Sequence, residues 1–209
     1  EEGVTGVRVR GVIDDGFAAG ALAAELVGRT TPIVIDVAAA TRVTSPGVRQ
    51  WLELMRNVDS GRFFLAACRP AFVAQLNVVP RFGGRAKVVS AYVPCVCAAC
   101  GAHDDVLVDV RTAPAVLAGV ERAHGPCARR GAADALAADA DDVDEAWFAW
   151  TRKNAADARA LLPLVAAAVD GALESDRAEE SVSGARRPRR GGLRVDKHVE
   201  HELNELWLE

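Results

Sequence analysis

Two short stretches hold the residue types that could do chemistry. In the first, Thr44-Ser45-Pro46-Gly47 sets two hydroxyls between an apolar run, Ile33-Val34-Ile35 with Val37, and a helically spaced series, Val48, Trp51, Leu52, Met55 and Val58. Serine is a preferred N-cap and proline suits the first helical position, so Ser45 is expected to cap a helix starting at Pro46. A hydroxyl there faces unpaired backbone N–H groups and the positive end of the helix dipole. Phosphate is stabilised at such a place, which makes Ser45 the candidate phosphoacceptor and Thr44 its alternative. A plain cap, worth about 1 kcal/mol, accounts for the same serine with no further role.

In the second stretch Cys95, Cys97 and Cys100 crowd together before Gly101, and Cys127 follows later. Cys-x-x-Cys-Gly brings two sulfurs to one side of a tight turn, a spacing suited to structural zinc. The expected ligands are Cys97, Cys100 and Cys127, with Cys95 ahead of His103 and His124 for the fourth place. Cys95 and Cys97 share a face of an extended strand, so joint ligation needs a bend at Val96. The interval from Cys100 to Cys127 exceeds the usual spacing of about 15–20 residues. Arg130 stands where a second knuckle would end, and a guanidinium cannot ligate. A degenerate ribbon without metal is the competing reading.

Nothing else has a catalytic pattern. There is no Ser-His-Asp order, Gly-rich phosphate loop or paired-carboxylate motif, so the chain is read as not an enzyme. Asp14 and Asp15 form a turn in this reading, and Asp36 sits near a strand end. The four histidines read as surface residues.

The elements that must position these residues follow from periodicity. Strands are expected at 4–13, 33–37, 62–67 and 86–93, and helices at 17–27, 46–58 and 71–78. The alternation β-α-β-α-β-α-β implies an α/β fold with parallel neighbours joined by crossovers. The expected organisation is a first domain over 1–94, a ribbon-like segment over 95–150 and an Ala-rich helix over 151–173. A charged, disordered linker over 174–192 and an amphipathic helix over 193–209 complete it, the helix carrying Val195, Val199, Leu203 and Leu206.

The strand, the Thr44-Ser45-Pro46-Gly47 loop and the helix after it resemble the core of the STAS family of bacterial anti-sigma-factor antagonists. The matching family loop reads Asp-Ser-Ser-Gly or Asp-Thr-Ser-Gly, and the residue after Asp is phosphorylated by a partner kinase. Ser45 falls on that position; Thr44 replaces the family's Asp and Pro46 its second hydroxyl residue. Cys68-Arg69-Pro70 continues the likeness. The resemblance implies a STAS-like sheet backed by helices. It also implies a non-enzymatic signalling module whose protein partner is an anti-sigma factor or switch kinase. Residues 95–150 resemble a C-terminal zinc ribbon whose second knuckle lost its last cysteine. A STAS-derived assembly scaffold without phospho-switching, working through the cysteine ribbon and the C-terminal helix, is the alternative.

Composition narrows the partners. The 209 residues carry a net charge of −4, which does not favour nucleic acid. Arg186-Arg187-Pro188-Arg189-Arg190 is basic but lacks interleaved aromatics and reads as a solvated linker. No run of about 18 apolar residues is present, so no membrane span is expected. The acidic start has no apolar leader, and the clustering of the five cysteines suits a reducing compartment, so the expected location is the cytoplasm.

Overall fold

Apolar β-branched and aromatic runs build the centre of the protein. The computed structural model describes residues 4–58, 62–109, 120–121, 135–139, 143, 147–149 and 203–205. Four parallel strands lie side by side in chain order: β1 (Val4–Arg8), β3 (Ile33–Asp36), β5 (Phe63–Ala66) and β6 (Lys87–Val88). The register pairs Val7 with Ile35 and Ile35 with Leu65. Every residue of β3 and β5 is buried, as expected of parallel strands covered on both faces. The connections run through α1 (Ala19–Leu26), α2 (Ser45–Asn57) and α3 (Pro70–Val78). Adding strands in one direction through right-handed crossovers places such helices on a common face. Accordingly, α1 and α2 touch. Among the described residues the protein is therefore mixed α/β, with a parallel sheet and three helices.

Three boundaries differ from the periodicity. Residues 4–13 are two strands, because Gly11, at φ 82°, turns the chain out of the sheet. The second piece, β2 (Gly11–Ile13), pairs in parallel with β4 (Ala40–Val43), a strand in a stretch that reads as a loop. Residues 86–93 also divide. After β6 the chain enters β7 (Ser90–Cys97), which forms an antiparallel hairpin with β8 (His103–Asp109). β10 (Ala135–Ala138) joins β7 on its other side, and β9 (Val120–Glu121) pairs with β10.

The expected division at 94/95 thus falls inside β7, which pairs without a break from Ser90 to Val96. One apolar cluster runs from Val4 through Val93, Cys95 and Val106 to Trp147 and Phe148. The described part of the ribbon-like segment shares the core of the first domain, because one strand serves both. In the expected tail helix, the described residues β11 (Leu203–Glu205) are a strand parallel to β1. An edge strand offers unpaired backbone groups, and pairing with them overrides a weak helical period. The Ala-rich helix at 151–173 and the linker at 174–192 lie outside the described residues. Among the described residues, no helix is long and apolar enough to cross a membrane.

The core of the helical layer is aromatic. Trp51 of α2 is fully buried, with ring centroids 5.0 Å from Phe72, 5.7 Å from Phe82 and 5.9 Å from Phe17. Its indole N–H donates to the Phe82 carbonyl at 2.9 Å, so the ring is buried without an orphaned donor. This anchor fixes the rotation of α2 and decides which of its residues face outward.

Candidate functional site

The loop before α2 is held by β2. The backbone N–H of Thr44 donates to the Ile13 carbonyl at 2.9 Å, extending the β2–β4 pairing by one residue. Thr44 is extended (φ −92°, ψ 165°), and its hydroxyl accepts the Gly47 N–H at 3.1 Å. Thr44 is therefore the N-cap, Ser45 the first helical residue and Pro46 the second. This corrects the expectation that Ser45 caps the helix. Tertiary pairing with Ile13 fixes the extended conformation one residue earlier than the serine suggests, and proline tolerates the second position because that N–H has no intrahelical partner.

Gly47 completes the clamp. A β-carbon at this position would lie 1.9 Å from the Ile13 oxygen and 2.9 Å from the Asp14 nitrogen. Only glycine lets the first turn of α2 sit directly on the backbone at the end of β2. The neighbouring Asp14-Asp15-Gly16 forms the expected turn, with the Asp14 carboxylate accepting the Gly16 N–H at 2.9 Å.

The two candidate hydroxyls consequently differ. That of Thr44 is half-buried and engaged, whereas Ser45 is exposed. The first turn offers an anion little. Pro46 has no N–H, the Gly47 N–H goes to Thr44 Oγ1, and the Val48 N–H goes to the Thr44 carbonyl at 2.8 Å. A phosphate on Ser45 would point outward instead of being absorbed by the helix terminus. Arg49, one turn on, is exposed on the same side of α2.

The cysteines occupy a β-hairpin. Cys97 ends β7, and residues 98–100 turn. The Gly101 N–H donates to the Cys97 carbonyl at 2.8 Å, closing the expected tight turn, and Gly101 takes the left-handed φ of 68°. Cys95 and Cys97 share the buried face of β7, as the strand period requires. The bend at Val96 needed for joint ligation is absent, since Val96 pairs with His103 on one side and Ala137 on the other. Two residues along a strand set the Cys95 and Cys97 Cα atoms about 6.8 Å apart. His103 turns to Asp139, with Nδ1 3.2 Å from Oδ2. Among the described residues, no three potential ligands converge. Cys127 and His124 lie outside them.

A polar cluster that motif reading missed lies at the carboxyl ends of the parallel strands, where open α/β sheets bind ligands in general. Arg8 and Asp36, paired in register, form an ion pair of 3.2 Å with each side chain 8% exposed. Asp36 also accepts the Ala38 N–H at 2.8 Å. Beyond β5, Ala67 is buried at φ 52°, and its N–H is satisfied by Ser90 Oγ at 2.8 Å. Arg69 then donates to the Ala38 carbonyl at 2.8 Å, stacks 4.1 Å over the Tyr92 ring and lies 3.5 Å from Asp105. Cys68, wholly buried between them, has its thiol pKa pushed strongly upward by burial and secondarily by Asp36. Burial thus disfavours the nucleophilic thiolate. These groups tie the two sheets together. The available signal was an Asp ending an otherwise apolar strand, but its partner lies 28 residues away.

No family model, curated protein or solved structure matches the chain.

Proposed function

We propose that this chain is a cytoplasmic, non-enzymatic signalling module of the bacterial anti-sigma-factor-antagonist kind, with a STAS-like core. Its partner in this reading is an anti-sigma factor or a switch kinase, and its regulated hydroxyl is Ser45. One observation carries the reading: Thr44 and Ser45 divide the labour, Thr44 closing the helix and Ser45 standing exposed beside it. A hydroxyl needed only for folding would be bonded into the cap; this one is left to the surface. Phosphate there adds charge and bulk where a partner would pack.

Co-purification with mass spectrometry identifies the partner, and binding to it tests the switch. Ser45→Ala is expected to keep affinity and Ser45→Glu to lose it. Equal affinity of the two variants removes the switch.

The alternative is a scaffold of the same fold without phospho-switching. It is favoured by Thr44 standing in the family's Asp position and serving here as a cap. In that case neither Ser45 variant alters assembly, and substitutions in the β7–β8 hairpin do.

A further inference from the structure

The loop between α3 and β6 holds an arginine in a conformation that suits glycine. Arg81 has φ 63°, whereas the loop's other left-handed residue, at φ 53°, is Gly84. A side chain is strained there, so the surroundings must impose the conformation. They do so through Phe82. Its ring is fully buried against Trp51, its carbonyl accepts the Trp51 indole N–H, and its own N–H donates to the Val79 carbonyl at 3.1 Å. Fixing Phe82 inward leaves Arg81 exposed at the rim of a cleft of about 140 Å³. Leu76, Phe82, Ala86 and Val88 give the cleft its apolar lining. Gly83 keeps it open, since a β-carbon there would lie 3.0 Å from Leu76 Cδ2. Gly84 packs on Met55, so the cleft lies near the other end of α2 from Ser45.

We propose that this cleft binds a small monocarboxylate, its apolar chain against Leu76 and Val88 and its carboxylate on Arg81. The proposal does not depend on the role of Ser45. Volume sets the size, since a cavity of roughly 150 Å³ admits a benzene ring, or about six carbons. Charge sets the head group. Among the described residues the Arg81 guanidinium has no ion-pair partner, and none of those lining the cleft is acidic. A guanidinium donates two parallel hydrogen bonds to a carboxylate. Asn77 adds a donor: one hydrogen of its amide nitrogen goes to the Trp147 carbonyl at 3.1 Å, and a second remains. Phosphate fits less well. The N–H groups of Phe82, Gly84 and Ala86 are engaged by carbonyls of the loop and so form no cradle for it, and the carboxyl end of α3 disfavours a second negative charge. That helix end explains a cation nearby, but neither the strained backbone of Arg81 nor the cavity beside it.

Sodium hexanoate is the probe, titrated into the full ¹⁵N-labelled chain beside hexylamine and inorganic phosphate. Hexanoate is expected to shift the Arg81 Nε–Hε and Val88 amide resonances saturably. Its dissociation constant should be on the order of 1 mM, as suits a ligand of about eight heavy atoms. Hexylammonium and phosphate should bind about tenfold more weakly or not at all. Arg81→Gly separates binding from folding. Glycine relieves the left-handed strain, so this variant should melt no lower than the parent yet bind hexanoate about tenfold more weakly. Gly83→Val keeps the guanidinium and fills the cleft, and should weaken hexanoate by a similar factor. Undiminished binding by either variant, phosphate binding as tight as that of hexanoate, or no saturable shift at Val88 would overturn the proposal.

Discussion

Gly47 and Ile13 meet backbone to backbone: a β-carbon on residue 47 would lie 1.9 Å from the Ile13 carbonyl oxygen. That approach lets Thr44 bond simultaneously to Ile13 and to the first turn of α2, which fixes where Ser45 stands. The candidate site therefore depends on a residue with no side chain.

Gly47→Ala should cost about 3 kcal/mol or more, because neither backbone can yield without moving β2 or α2. Gly20 in α1 is the contrasting case. A β-carbon there meets nothing within 4 Å, so Gly20→Ala should stabilise by about 0.5–1 kcal/mol through backbone entropy. Urea denaturation of the two variants reads both signs, and a Gly47→Ala protein as stable as the parent would refute the clamp.

The two hydroxyls separate in the same assay. Thr44→Ala removes the cap and should lower stability by about 1 kcal/mol. Ser45→Ala removes an exposed group and should stay within about 0.5 kcal/mol of the parent. The reverse order would restore Ser45 as the cap.

Asp36 neutralises a guanidinium that is 8% exposed. Asp36→Ala should destabilise by about 3–5 kcal/mol, since it takes one partner from a buried ion pair and an acceptor from the Ala38 N–H. A loss below about 1 kcal/mol in calorimetry would mean that solvent reaches the pair.

Cys68 gives the stability a pH dependence. Its folded thiol pKa lies above the unfolded value, so both states hold the proton below about pH 8.5. Above that, the unfolded chain releases the proton while the folded chain keeps it. Stability should then fall by about 1.4 kcal/mol per pH unit from this group. Cys68→Ala should flatten that slope between pH 8.5 and 10, and the native thiol should resist alkylation throughout. An unchanged slope, or rapid alkylation of Cys68 itself in the folded protein, located by peptide mass spectrometry, would show the thiol to be accessible.

What the sequence determined by itself is local. The runs Ile33–Asp36 and Phe63–Ala66 could only be buried strands, and the spacing of Trp51 and Met55 made a helix of the next segment, because side-chain periods of two and 3.6 are written in the chain. The Asp14–Gly16 turn and the tight turn ending at Gly101 were equally legible, being properties of a few adjacent residues. Partnership was decided only by the tertiary structure. It assigned the cap to Thr44, because Ile13 holds that residue extended from 31 positions away. It carried β7 through the expected boundary, because β8 and β10 continue its hydrogen bonding past Pro94. It also joined Arg8 to Asp36 and Arg69 to Tyr92 through contacts between distant residues, which no local period encodes. The exposure of Ser45 belongs to this second kind: a helix shows in its sequence that it has two faces, but only the packing of Trp51 sets how they are turned.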